Sequence, residues 1–337
     1  MSAVSAVLDD VDRLLATGDS SGALDRLDAA NRERPSAQLE RRLLTLRHER
    51  FEDFRPTVAP ACAPIVAEPA ETPSLLPEMN PEHLDVAALR EGLASHGCVR
   101  IPGLIGSGAA AELRRGIDAA FEAFDHRKDS RDDDAKRWFS PFTPSSGDYR
   151  IGGRTWMRES GGLWAVDSPR MFVQVLELAR TTGVRRLIED YFGERPAMSA
   201  NKCNLRRVPV TSATNWHQDG AFLGEGVRSM NLWLGLSDCG VDAPGLDLVP
   251  RRFDGVVETG GGDAFFDWSV SSDTVAEVAG EAGVIRPEFR AGDALLFDHL
   301  SLHRTAVSAE MTKERYAIES WFFAPSHYPE GQIPLIF

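Results

Sequence analysis

Up to about residue 191 the apolar residues mostly recur every three or four positions, and beyond it they fall into short runs bounded by turn residues. The runs lie at 198–208, 228–236, 247–249, 294–297 and 315–323, with Gly, Pro, Asn, Asp and Ser between them. Several short strands with brief connections close most naturally as an antiparallel sandwich or jelly roll. The expected fold is therefore mainly β with flanking helices (α+β), a double-stranded β-helix (jelly roll, cupin-like) with a small N-terminal helical appendage.

The first half supplies the helices. Val4, Val7, Leu8, Val11, Leu14 and Leu15 fall on one helical face, Gly18 to Gly22 interrupt it, and Leu24, Leu27 and Ala30 resume it until Pro35. A third stretch carries Leu39, Leu43, Leu46 and Phe54, and the following Pro- and Ala-rich segment has little periodicity. This divides the chain into a helical appendage at 1–55 (a hairpin plus a third helix), a linker at 56–77 and a main domain at 78–337. The hairpin resembles a single tetratricopeptide-type repeat, and such repeats need neighbours to bury their faces. Packing on the main domain, a protein partner and self-association through residues 1–55 all stay open. Further on, a helix to about Ser95, a strand at 98–101, a helix ending near Phe124 and one helix over 171–191 are expected. The stretch 125–160, rich in Asp, Pro and Gly with isolated aromatics, reads as a solvated loop or a lid.

Charge removes one class of function. Lys and Arg total 37 against 51 Asp and Glu, a net charge of -14 that opposes the counterion release driving nucleic-acid binding. Cys62, Cys98, Cys203 and Cys239 are widely spaced, as expected of reduced thiols. The start lacks the basic-then-apolar form of an export signal, and no apolar run reaches the ~18 residues of a membrane span. A cytoplasmic protein that binds neither membrane nor nucleic acid is expected.

Chemistry enters at Asn215-Trp-His217-Gln-Asp219-Gly220, which puts a His and an Asp two residues apart, on one side of an extended segment. Two His and one carboxylate on one face of an octahedron are the usual way to hold an iron that must keep three positions open. The pair alone is weak evidence, since His83-Leu-Asp85 has the same spacing where a helix start is expected. Context favours His217, which lies in the strand-rich half, with Gly292-Asp-Ala-Leu-Leu-Phe297, His303 and Arg315 downstream. His299 and His327 are the rivals of His303.

Trp-His-Gln-Asp, the Gly-Asp-x-Leu-Leu-Phe strand, His303 and Arg315 together resemble the phytanoyl-CoA dioxygenase family over roughly residues 80 to 325. The stretch Gly97-Cys-Val-Arg-Ile-Pro-Gly103 is similar to that family's opening, whereas residues 1–55 have no counterpart. The resemblance implies a dioxygenase that uses Fe(II), 2-oxoglutarate and O2 to hydroxylate a small-molecule substrate. It makes His217, Asp219 and His303 the iron ligands, Arg315 the partner of the distal carboxylate of 2-oxoglutarate, and Thr305 and Trp233 further co-substrate contacts. A guanidinium offers a planar fork to a carboxylate, a Thr hydroxyl adds a donor, and a Trp walls a pocket while donating its N–H.

Where the family pattern continues Gly-Ser-His after Pro250, this chain has Arg251-Arg252-Phe253, which reads as surface charge or as contacts for an acidic substrate. Because position 219 is a carboxylate, no ligand position is left for chloride, and hydroxylation is favoured over halogenation. Two other readings stay open: a jelly-roll metal enzyme that does not use 2-oxoglutarate, and a catalytically silent binding module. Arg315 argues against the first, the complete triad against the second.

Overall fold

The computed structural model describes residues 3–61, 64–68, 75–127, 134–145, 149–224 and 226–337. Its helices are α1 (Ala3–Ala16), α2 (Ser20–Glu33), α3 (Ala37–Glu49), α4 (Val86–His96), α5 (Ser107–Asp125), α6 (Ala135–Trp138), α7 (Arg154–Glu159), α8 (Pro169–Thr181), α9 (Val184–Phe192), α10 (Gly220–Leu223) and α11 (Ser272–Ala279). The strands are β1 (Cys98–Ile101), β2 (Gly162–Trp164), β3 (Ala197–Val208), β4 (Trp216–His217), β5 (Ser229–Gly235), β6 (Gly245–Leu248), β7 (Ser269–Val270), β8 (Ala294–Phe297), β9 (His303–Ala306), β10 (Arg315–Phe323) and β11 (Pro334–Ile336).

The larger sheet runs β1-β8-β5-β10-β3-β11, with β2 also on β3, and the smaller runs β6-β9-β4-β7. All of these strand pairs are antiparallel. Strand β10 shows why the larger sheet sits where it does. Tyr316, Ile318 and Phe322 point to one side and join a core with Leu113, Ile117, Phe172 and Ile188 of the helices. Ala317, Trp321 and Phe323 point to the other, where Leu246 and Leu248 of the smaller sheet meet Trp233, Leu295 and Phe297. One face of the large sheet is thus roofed by helices, and the opposite face packs on the small sheet.

Two expectations need correction. The chain is not mainly β: 40% of it is helical, because helices cover the outer face of the large sheet and three more precede it. The helix expected over 171–191 is two, α8 and α9, parted at Gly183, whose φ of +79° suits glycine alone. The apolar stripe continues across the break as Val175, Ala179, Val184 and Leu187, all buried, so periodicity could not reveal it.

The described part of 125–160 is anchored. Phe139 and Phe142 are buried in the core. Arg154 donates to Asp167 at 2.7 Å and to the carbonyl of Phe142 at 2.9 Å, while Asp167 also accepts from the Phe142 N–H at 2.8 Å. Residues 128–133 and 146–148 of the expected lid, residues 56–77 in part, and Cys62 lie outside the described residues.

Helices α1–α3 pack on the rest of the chain. Asp19 and Ser36 cap α2 and α3 by accepting from the N–H groups of Gly22 and Leu39. Val11, Leu24, Leu27, Leu39, Leu43 and Leu46 form one cluster with Ile336 of β11. Arg47 donates to the Ile336 carbonyl at 2.9 Å, and a ring nitrogen of His48 meets the Pro334 carbonyl at 2.9 Å. Glu40, fully buried, accepts from Arg137 at 2.7 Å and from Arg170 at 3.1 Å. Glu40→Ala is expected to lower stability by about 3 kcal/mol, the low end of the cost of breaking a buried pair, because both arginines can turn partly to water. Denaturant titration checks this; a change below about 1 kcal/mol would mean the contact is as weak as a surface ion pair.

Candidate metal and co-substrate site

Strand β4 is two residues long, yet it places the site. It pairs with β7 on one side and β9 on the other, setting His217 directly opposite His303. Their ring centroids are 4.4 Å apart. Nδ1 of His217 donates to the Asn215 carbonyl at 2.9 Å, and Nδ1 of His303 to the Ser301 carbonyl at 3.1 Å. A nitrogen facing a carbonyl must carry the proton, so in the neutral ring Nε2 is the atom whose lone pair can bind a metal. Burial, with the neighbouring His303, pushes the pKa of His217 down to about 4, keeping that imidazole neutral at pH 7.

Asp219 arrives differently from the expected strand alternation. The strand ends at His217, and Asp219 has the helical angles φ -64° and ψ -23° at the start of α10. The buried Gln218 between them fixes the turn: its amide donates to the carbonyls of Leu300 at 2.6 Å and Gly255 at 3.2 Å and accepts from the Val257 N–H at 2.7 Å. An oxygen of Asp219 comes within 3.8 Å of His303 Nε2. One ligand atom from each of His217, Asp219 and His303 lies within 4.8 Å of the others. Two imidazoles and a carboxylate converging from one side suit a divalent iron with open positions.

The rivals fall elsewhere. Asp85 of the second His-x-Asp pair caps α4, accepting from the Ala88 N–H at 3.0 Å. A hydroxyl from Ser229 lies 2.9 Å from His299 Nδ1. His327 bonds Ser326 beyond β10.

Arg315 is fully buried at the start of β10. It donates to the Gly245 carbonyl at 2.9 Å and to the Thr305 hydroxyl at 3.2 Å, and its guanidinium carbon lies 5.7 Å from the Trp233 ring centroid. Its Nε and the Trp233 Nε1 are buried donors with no partner among the described residues. Burial draws the Arg315 pKa below its usual value. A desolvated guanidinium without a carboxylate is costly, so this corner suits an anionic ligand held in the protein.

Arg251 and Arg252 are otherwise engaged. Arg252 forms a buried ion pair with Asp298. Arg251 donates to the Val278 carbonyl at 3.0 Å, and its own carbonyl would lie 2.9 Å from any Cβ at Gly97, where φ is +71°. Of the two readings, the exposed Arg251 fits surface charge, while Arg252 is taken up by Asp298.

Sequence reasoning missed the inner face of β3. Lys202, Asn204 and Arg206 alternate with Cys203 and Leu205, which join the core under the helices. Polar–apolar alternation ordinarily marks a solvated face, and here it marks the inside of the site. Glu319 accepts from Asn204 at 3.1 Å and lies 3.6 Å from Arg206. Trp268 stands edge-on to His217, with ring centroids 5.7 Å apart, and Phe222 and Phe266 pack on it at 5.5 and 4.6 Å.

Such a donor set beside an uncompensated guanidinium defines a class, the iron(II)- and 2-oxoglutarate-dependent non-haem oxygenases, which consume O2. A family model described as phytanoyl-CoA dioxygenase (PhyH) matches residues 93–309, and the chain belongs to that family. Arg315 lies beyond the matched stretch. Among solved structures the chain is similar to EvdO2 from Micromonospora carbonacea var. aurantiaca complexed with 2-oxoglutarate, at 18% identity and TM-score 0.47 over 74% of this chain and 91% of that one. It is also similar to EctD from S. alaskensis with 2-oxoglutarate and 5-hydroxyectoine, at 15% identity and TM-score 0.48 over 81% and 89%. No curated protein matches the chain by sequence. No helix among the described residues is long and apolar enough to cross a membrane.

Proposed function

We propose that His217, Asp219 and His303 hold iron(II), that Arg315, Thr305 and Trp233 hold the distal carboxylate of 2-oxoglutarate, and that the enzyme hydroxylates a small organic substrate at an unactivated C–H bond. The observation that carries this reading is the buried Arg315, which has no ion pair among the described residues and bonds Thr305 on β9, the strand that also carries His303 of the triad. Bound there, iron(II) supplies the O2 chemistry in which 2-oxoglutarate becomes succinate and CO2 while the substrate gains one oxygen atom. The chain's own residues do the rest. The carbonyls of Asn215 and Ser301 fix the two imidazoles. Trp233 and Phe289, 4.8 Å apart, wall the co-substrate corner against water. The carboxylate of Asp219 fills the position that a halide would need.

In this reading the two sheets form a jelly roll within a domain spanning 78–337, residues 1–55 are a helical appendage bound to it, and 56–77 is the connecting linker. A cytoplasmic setting accords with the thiols. Cys98, Cys203 and Cys239 are free and buried. Burial pushes the first two up to about 12 and Cys239 to about 11, so they stay protonated and inert.

Anaerobic protein given Fe(II) and 2-oxoglutarate should develop a weak visible charge-transfer band, because a chelated ketoacid on iron absorbs there and a three-residue site leaves room for it. Folded, iron-loaded protein that shows no band on saturation with 2-oxoglutarate would exclude the co-substrate.

A further inference from the structure

We infer that the face formed by Lys202, Phe222 and Trp268 beside His217 takes a substrate with an apolar body and one carboxylate, and that the ammonium of Lys202 anchors that carboxylate. The inference rests on the assignment of iron and 2-oxoglutarate proposed above. Lys202 lies in mid-β3 on the inner side, partly buried, with Nζ 3.9 Å from the centroid of the Phe222 ring. No described carboxylate pairs with it. Desolvation lowers its pKa, while the charges of Asp219 and Glu319 act in the opposite direction. Neither acid is free to neutralise it: Asp219 belongs to the triad, and Glu319 is held by Asn204 and faces Arg206.

The charges that sense one another in this enclosure are the cations Lys202, Arg206 and Arg315 and the carboxylates Asp219 and Glu319. Three positive and two negative charges leave one positive. Iron(II) and the 2-oxoglutarate dianion cancel, so the loaded site keeps that single charge. Arg315 serves the co-substrate and Arg206 faces Glu319, which leaves Lys202 as the uncommitted cation. A substrate monoanion would compensate it in a low-dielectric setting where attraction is strong. Phe222, under the ammonium, packs on Trp268, which in turn stands edge-on to His217. A molecule whose carboxylate meets Lys202 would therefore lay its apolar part across these rings and toward the triad. With Arg251 and Arg252 engaged elsewhere, no other described arginine or lysine of the site's inner face is available for this task.

The test uses the full-length protein, anaerobic, with Fe(II) and saturating 2-oxoglutarate. Phenylacetate and hexanoate are titrated against phenylacetamide and hexanamide, following tryptophan fluorescence and the visible band. The carboxylates should bind at least tenfold more tightly than their amides. Lys202→Met should reduce that preference to below twofold, and Lys202→Arg should retain most of it, with the band reporting that both variants are folded and loaded. Equal binding of acid and amide, no binding of any probe, or an undiminished preference in Lys202→Met would overturn the inference. So would loss of the band as the carboxylates bind, which means displacement of 2-oxoglutarate, or a tenfold weaker response of Lys202→Met to 2-oxoglutarate, which would place Lys202 on the co-substrate. Absence of the band in the parent protein is a different failure, that of the iron and 2-oxoglutarate assignment itself.

Discussion

Replacing His217, Asp219 or His303 singly by alanine is expected to abolish turnover and to weaken iron binding by more than the roughly 10–100-fold that loss of an outer-shell partner costs. The reason lies in how few ligands there are. With three protein donors the metal loses a third of its anchorage at each substitution, and no other described His, Cys, Asp or Glu completes a cluster of this kind. Folding should survive the changes. Asp219 starts a short helix where alanine is at ease, and the hydrogen bonds of the two-residue strand β4 belong to the backbone. His83→Ala, which removes the other His-x-Asp histidine, should bind iron and turn over as the parent does. Iron content after desalting, the charge-transfer band and succinate release separate the outcomes, with thermal melts as the control for folding. Full iron binding by either histidine variant would move the metal elsewhere.

The local elements were legible where a short run rich in apolar and β-forming residues stood apart from its flanks. Strands β1, β8 and β10 begin and end where the sequence places them. The triad was legible by residue type, but the means of assembling it was not. Strand β4 has only two residues and exists because β7 and β9 flank it, a tertiary fact. Asp219 reaches the site through a helical turn held by Gln218, whose bonding partners lie 37 to 82 residues away. Lys202, Asn204 and Arg206 were hidden for the opposite reason, since their alternation has the form of an ordinary solvent-facing edge and only the closing of the second sheet turns it inward. Glu40 was hidden in the same way: a charged residue in an amphipathic helix reads as exposed until Arg137 and Arg170, 97 and 130 residues distant, enclose it. Local pattern identifies elements, whereas charge burial is decided by contacts that no local pattern contains.

Arg315→Met is expected to weaken 2-oxoglutarate binding by about 2–5 kcal/mol, the scale of losing one partner of a buried, hydrogen-bonded charge pair. Iron binding should persist, because no hydrogen bond joins the guanidinium to any of the three ligands: its donors go to the Gly245 carbonyl and the Thr305 hydroxyl. The same variant separates a ligand-binding role from a structural one. A buried arginine that served the fold would carry a carboxylate, and its loss would strand that charge. Arg315 has no ion pair among the described residues and leaves its Nε unbonded, so in the ligand-free protein it is a cost of burial awaiting an anion. Exchange for an apolar side chain of similar length should therefore leave the melting temperature of the ligand-free protein close to the parent's. Saturating 2-oxoglutarate should then separate the two. At a hundred times its dissociation constant a ligand adds about 2.7 kcal/mol to the parent's stability, and at the same concentration it should add at most about 0.9 kcal/mol to the variant. A variant that melts far below the parent without ligand, yet binds 2-oxoglutarate normally, would make Arg315 a structural residue and send the search for the carboxylate anchor to Arg206 and Lys202, the other two cations on the inner face.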